Sequence, residues 1–276
     1  MSLFEASLLG LVQGLTEFLP VSSSAHLVFV QHLLGFKKPL LFFDIMVHAG
    51  TLVSLFVYFW KDVAHLLRDS VYALFFLLRR RALKEIYEFA PYSRWAAGII
   101  VATIPAGLAG VFLGDWFESL FGSLRTTGAA LLGTSLLLWA TRRFHREEKE
   151  MGDARLLDFF LIGCFQAIAI TPGISRSGAT IAAALFVGFK RETAFRFSFL
   201  LAIPAILGAS LLQLPEGLAS AGEWLVTSSG MIVAGLSGFL AIPLVGKAIR
   251  KGKLHWFAAY TLPLGILLIY LSRFLE

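Results

Sequence analysis

Three stretches of this chain run for about 18 residues or more without a charged side chain: Trp95 to Gly114, Phe197 to Leu214 and Trp224 to Gly246. A helix of about 20 apolar residues matches the hydrocarbon thickness of a bilayer, where every backbone polar group must be satisfied within its own segment. Three further runs, Ile45 to Trp60, Thr126 to Thr141 and Trp256 to Ser272, stay uncharged for about 16 residues and are flanked by groups that snorkel to an interface. The sequence therefore predicts six membrane spans. Composition agrees, since 57% of the residues are hydrophobic against the about 45–50% usual in soluble chains, with 26 Phe and only 15% charged.

The segment around Glu5 lacks the basic leader of a cleavable signal peptide and is expected to stay in the mature protein. A net charge of +6 and a pI near 9.6 would suit a nucleic-acid binder. The basic residues, however, fall in the gaps between apolar runs and not along one face, so nucleic acid is not expected as a partner. One cysteine, Cys164, rules out an internal disulfide and a Cys-based zinc cluster, and it reads as packing. The Phe-rich and Leu-rich stripes are read as lipid contact and need no cofactor.

The segment from Leu9 to Ser24 resembles that from Ile162 to Ser177: each is an apolar helix with a Gln, then a Pro, then a Ser cluster. Gln13 aligns with Gln166 and Pro20 with Pro172. The chain thus reads as two related halves. The prolines break each motif segment into pieces too short to span, so each is read as a re-entrant hairpin followed by three spans. An odd number of crossings inverts the second half. The expected fold is an all-α polytopic membrane protein made of two inverted-topology repeats. The first repeat covers 1–141, with a hairpin over about 2–36, spans over about 42–60, 95–114 and 126–141, and a cytoplasmic interfacial linker over 61–94 in which Phe75 to Leu78 dip inward. The second covers 142–276, with a hairpin over about 156–189 and spans over about 195–214, 224–246 and 255–273. Charge supports this orientation. With both termini outside, Lys37, Lys38, Arg125 and Arg273 are the only external basic residues of the 24, Arg176 lies within the membrane, and the rest, Arg146 among them, are cytoplasmic.

Ionisable groups inside a membrane segment are costly and mark function. Gln13 and Glu17 lie four apart on one helical face just before Pro20, and Ser22, Ser23, Ser24 and His26 follow it. Arg176 sits between Ser175 and Ser177, with Thr180 one turn on. Ser residues after a Pro or Pro-Gly break are natural N-caps, so each break is expected to present the positive end of a short helix. Inverted repeats bring two broken segments together near the midplane. Two helix N-termini, several hydroxyls and a guanidinium converging there suit a phosphate or diphosphate. Glu17 would repel such a ligand unless a cation intervened. That cation is either a hard divalent ion, Mg²⁺ or Ca²⁺, held by Glu17 with help from Gln13, or Arg176 itself in a salt bridge across the repeats. His26 is a candidate base, acid or nucleophile, and Ser23 a nucleophile that His26 would activate. Asp44 and His48 either support the site from behind or anchor their helix at the interface. His32, His65, His145 and His255 are expected to be interfacial or solvated.

The stretches from Gln13 through Glu17 to His26, and from Pro172 through Ser175, Arg176 and Ser177 to Thr180, resemble the bacterial undecaprenyl-diphosphate phosphatase family, the bacitracin-resistance proteins, and the resemblance covers essentially the whole chain. It implies hydrolysis of a polyprenyl diphosphate lipid to the monophosphate, recycling of that carrier for cell-wall synthesis, bacitracin resistance, and a bacterial cytoplasmic-membrane enzyme whose site opens toward the periplasmic or outer face. It assigns Gln13 and Glu17 to the acidic motif, Ser23 and His26 to the Ser-His motif, and Ser175, Arg176, Ser177 and Thr180 to phosphate binding. Many members carry Glu where this chain has Gln13, which favours a one-carboxylate site. The rival reading is a transporter or flippase for an anionic lipid, because broken helices in inverted repeats are also a transporter architecture. Self-association as a homodimer is left open by the sequence.

Overall fold

The computed structural model describes residues 1–36, 40–143, 148–219 and 224–275, with the backbone alone at 214–219 and 275. Lys37, Lys38, His145 and Arg146 lie outside the described residues. The helices are α1 (Leu3–Phe18), α2 (Ser23–Leu33), α3 (Leu41–Tyr58), α4 (Trp60–Leu78), α5 (Leu83–Phe89), α6 (Tyr92–Leu120), α7 (Leu124–Ala140), α8 (Leu156–Ile168), α9 (Arg176–Phe186), α10 (Arg191–Ala219), α11 (Trp224–Arg250) and α12 (Ala258–Leu275). Short 3₁₀ turns at Met151–Asp153 and Leu254–Phe257 complete the regular structure, and among the described residues the only extended pairing is an isolated bridge between Lys149 and Phe189.

Among the described residues, five helical segments are long and apolar enough to cross a membrane: Leu41–Tyr58, Tyr92–Leu120, Arg191–Gln213, Trp224–Arg250 and Leu254–Phe274. The sixth expected span, α7, has 17 residues, about 26 Å of helix, and stands at the short limit for a crossing. Burial is one-sided on the long helices. On α11, Ile232, Leu236, Leu240 and Leu244 are exposed at a four-residue period, whereas Ala234, Gly238, Ala241 and Val245 are buried. On α6, Ile100, Ile104, Leu108, Val111 and Phe112 are exposed. Apolar faces of that extent are stable in lipid and not in water, and the chain is a multi-pass membrane protein.

The expected motif hairpins are pairs of short helices, and their ends follow from local chemistry. Ser2 and Glu5 form a capping box that starts α1, with the Glu5 N–H donating to Ser2 Oγ at 3.2 Å and the Ser2 N–H to Glu5 Oε2 at 2.6 Å. Helix α1 stops before Pro20, which has no N–H to continue the ladder. Helix α8 starts where the Arg155 N–H donates to Asp158 Oδ2 at 2.8 Å, and it ends four residues before Pro172. With 16, 11, 13 and 11 residues, α1, α2, α8 and α9 fall below the length of a full crossing.

Packing pairs each hairpin with a helix from the other half of the chain. Gly10 lies against Gly230 and Gly14 against Ala234 and Ser237, so α1 and α11 run in the same direction at backbone contact. Likewise Gly98 lies against Phe159 and Gly163 against Ala102, which sets α8 parallel to α6. Helix α7 pairs with α12 through Gly128 and Gly265, and α3 packs on both α10 and α11. Lipid contact does not account for all the phenylalanines, because Phe18, Phe159, Phe189, Phe195, Phe197 and Phe199 are fully buried. Their rings interlock, with Phe18 5.6 Å from Phe199 and Phe159 5.3 Å from Phe197 between centroids. These rings form a rigid floor under the end of α1.

The linker between the first two long helices folds as α4 and α5. Leu67, Val71, Leu74 and Leu78 are exposed along one face of α4, next to Arg79, Arg80 and Arg81. Its other side is tied down by polar contacts: Asp62 pairs with Arg196, Tyr92 donates to Asp62 at 3.1 Å, and the Tyr92 N–H donates to Asp69 at 3.0 Å. His65, expected to be interfacial or solvated, lies against Tyr92 with ring centroids 5.0 Å apart and planes tilted by 51°. Cys164 is half-buried.

Candidate active site

The two proline breaks meet. Ser177 donates to the carbonyl of Leu19 at 3.2 Å, and the Gly173 N–H donates to Ser24 Oγ at 3.3 Å. Ser22 is the N-cap of α2 and accepts from the Ala25 N–H, while Ser175 caps α9 and accepts from the Gly178 N–H at 3.1 Å. Two helix N-termini therefore open on one place. The backbone is forced at both breaks. Ser22 holds φ at +69°, a conformation that costs a non-glycine residue free energy. Gly173 holds φ at +99°, and a Cβ there would sit 2.2 Å from the Thr127 carbonyl oxygen. Thr134 completes the second break by donating to the Gly173 carbonyl at 2.9 Å and accepting from the Ser175 N–H at 3.0 Å.

At the centre is Glu17, in the last turn of α1 and 8% exposed. Arg176 Nη2 donates to its Oε1 at 2.7 Å across 159 positions of sequence. Its Oε2 accepts from Ser23 Oγ at 2.6 Å and from Gln13 Nε2 at 3.0 Å, and His48 Nε2 lies 3.8 Å away. The arginine bridge weighed in the sequence is thus formed. Among the described residues two buried polar atoms at this cluster have no partner: Arg176 Nη1, a donor, and Gln13 Oε1, an acceptor. A buried guanidinium donor without an acceptor costs free energy until an oxygen reaches it.

The other predicted residues divide into two groups. Ser22 and Ser24 share a hydrogen bond at 3.1 Å, as do Ser175 and Ser177 at 3.3 Å, and these hydroxyls rim the breaks. Thr180 faces inward, donating to the Arg176 carbonyl at 2.9 Å and sharing a 2.5 Å bond with Ser198. It holds the first turn of α9 and so places Arg176. His26 does not bond Ser23. Its Nδ1–H donates to the Ser22 carbonyl at 2.7 Å, and Nε2 lies 2.8 Å from the Tyr260 hydroxyl. Of the Asp44 and His48 pair, only His48 approaches Glu17, with its Nδ1–H donating to the Asp44 carbonyl at 2.7 Å. The Asp44 carboxylate accepts from Gln31 at 2.9 Å.

Comparison with known proteins identifies the family. The family model described as bacitracin resistance protein BacA matches residues 6–267. The chain belongs to the BacA family. Among curated relatives it is 41% identical to an undecaprenyl-diphosphatase of Alkaliphilus metalliredigens, covering 99% of each chain. It is 39% identical to one of Halothermothrix orenii, again over 99% of each. An undecaprenyl-diphosphatase of Carboxydothermus hydrogenoformans is 42% identical over 99% of this chain and 98% of its own.

For this BacA-family chain, the donor set decides whether a cation fits. Among the described residues no group of three His, Cys, Asp or Glu is placed to cage a metal. What the site offers is the Glu17 carboxylate beside the unpartnered Gln13 Oε1. One carboxylate and one amide oxygen suit a hard ion such as Mg²⁺, which takes its other positions from water and phosphate oxygens, so the residues fit. Sequence reasoning passed over Tyr260, Ser198 and Thr134. Tyr260 reads as an ordinary interfacial aromatic, and the two hydroxyls sit in apolar runs without a Pro break or a Ser cluster to mark them.

Proposed function

We infer that this protein is an integral-membrane phosphatase that hydrolyses undecaprenyl diphosphate to undecaprenyl phosphate and inorganic phosphate. The observation that carries the reading is Arg176 on Glu17, with the Ser23 hydroxyl on the same carboxylate and a second guanidinium donor unpartnered. The relatives' shared name supplies the lipid. In this family context the enzyme recycles the carrier lipid for envelope polymers, confers bacitracin resistance, and lies in the bacterial cytoplasmic membrane with its site open to the outer face.

Chemically, the terminal phosphate sits against Arg176 and the two helix N-termini, whose N–H groups and hydroxyls stabilise charge that spreads over its oxygens. Ser23 Oγ, already donating to Glu17, attacks the terminal phosphorus as its proton passes to Glu17. The P–O bond to the lipid phosphate breaks, and undecaprenyl phosphate leaves with the bridging oxygen. Water then attacks the phosphoserine, losing a proton to His26, as Glu17 returns its proton to Ser23 Oγ and inorganic phosphate is released. Ser22, Ser24, Ser175 and Ser177 hold phosphate oxygens, Thr180 supports Arg176, and His48 supports Glu17. A divalent cation held by Glu17 and Gln13 would supply further neutralisation of the diphosphate.

The frame for this site is a pair of inverted repeats, 1–141 and 142–276. The reciprocal pairing of α1 with α11 and of α8 with α6 supports it, as do the shared directions within both pairs. Purified full-length protein in detergent should release phosphate from a polyprenyl diphosphate, and release should fall on chelation and return with Mg²⁺ or Ca²⁺. No release from the intact protein sinks the hydrolase reading in favour of lipid transport, which detergent abolishes. Full release under complete chelation removes the cation alone.

A further inference from the structure

His26 has a tautomer fixed by its surroundings. The Ser22 carbonyl can only accept, so Nδ1, 2.7 Å away, carries a proton in every charge state. Nε2 is therefore the atom at which this imidazole gains or loses charge. Its partner is the hydroxyl of Tyr260, 2.8 Å away on α12 and 234 positions distant in sequence. The two rings also stack, with centroids 5.7 Å apart and planes within 8°. His26 is 9% exposed and Tyr260 50% exposed, so the phenol stands between the buried imidazole and the surroundings. The ionisable groups on the helices around α2 are engaged elsewhere or face outward. Glu17 is held by Arg176, Ser23 and Gln13, Asp44 is bonded by Gln31, His48 is near Glu17, and Arg125 on α7 is exposed.

We propose that Tyr260 is a positioning residue for His26, fixing the direction of the imidazole by stacking and governing proton exchange at Nε2 by its hydroxyl. The proposal rests on the phosphatase reading for its consequence, since it makes α12, which carries none of the motif residues, part of the catalytic apparatus. When His26 is neutral the phenol donates to Nε2, and when His26 is charged Nε2–H donates to the phenol oxygen. A proton delivered to the phenol oxygen is matched by transfer of the phenol's own proton to Nε2, so the hydrogen bond persists and its direction reverses. This is how a structural partner holds a general acid or base without removing it from the reaction.

Tyr260→Phe keeps the ring and deletes the hydroxyl. In the detergent phosphate-release assay, kcat should fall about tenfold, the size of one hydrogen bond to a titrating group, with KM nearly unchanged. The limb of the pH profile that disappears in His26→Gln should move. In the His26→Gln background, Tyr260→Phe should have no further effect. Tyr260→Leu, which also removes the stacking, should be more damaging than Tyr260→Phe. Independently of turnover, histidine-labelled protein should show the ¹⁵N signal of His26 Nε2 and its titration midpoint displaced in Tyr260→Phe, with Nδ1 still protonated. An unchanged pH profile and an unchanged Nε2 signal overturn the proposal, as do losses that multiply whether or not His26 is present. If the unaltered protein releases no phosphate, the phosphatase reading fails while the Nε2 signal still decides the contact.

Discussion

Arg176 shows how one side chain is asked to do two things. Its Nη2 neutralises Glu17, and its Nη1 is buried without a partner among the described residues. Lysine at this position would supply a point charge but not two donors in a fixed fork. Arg176→Lys should therefore fold and lose about tenfold to hundredfold in kcat/KM, measured by phosphate release. Arg176→Ala should in addition destabilise the protein by about 3–5 kcal/mol, because it leaves Glu17 buried and uncompensated, and a lowered unfolding midpoint in detergent checks this. The sequence made Glu17 and Arg176 legible because charge inside an apolar segment is conspicuous. It left their relation undecided between an ion and a direct bridge, since separation in space is not written in spacing along the chain. His26 was legible as a candidate, but its partner was not. Proximity in sequence pointed to Ser23, whereas the helix geometry turns the ring toward Tyr260 and gives Ser23 to Glu17.

At the scale of elements, the breaks matter more than the helices they join. Gly173 has a positive φ and no room for a Cβ beside Thr127. Gly173→Ala should cost about 1–3 kcal/mol from backbone strain alone, and more activity than stability, because Ser175 and Arg176 shift with it. Thermal unfolding set beside phosphate release tests the split, and a variant indistinguishable from the original in both would contradict the strain argument. The breaks were predictable from Pro20 and Pro172-Gly173, and so were the serine caps, since both follow from local backbone chemistry. The buried phenylalanine floor was not. A Phe facing lipid and a Phe packed among other rings look alike in sequence, as the exposed Phe112 and the buried Phe199, against Phe18, Phe59 and Phe195, show. Helix α7 covers the apolar run expected to span, and its 17 residues leave it the shortest of the expected spans.

On the scale of the whole molecule, the proposed repeats make a prediction about sidedness. In a Cys164→Ala background, cysteines placed at the exposed positions Arg81 and Lys251 should react with an impermeant maleimide from one side of the membrane, and one at Gly122 from the other. Reaction of all three from the same side would refute the inverted arrangement. The crossed packing of α1 on α11 and of α8 on α6 also bears on how such a chain comes into being. A nascent polypeptide that has emerged only as far as α7 carries Glu17, Ser23 and His26 but neither the arginine nor the helix on which α1 rests. It should be inert until nearly the last helix is translated, so that a ribosome stalled midway leaves no half-working hydrolase loose in the bilayer. Separate polypeptides for 1–141 and 142–276, made in one cell, should be silent singly and restore phosphate release together.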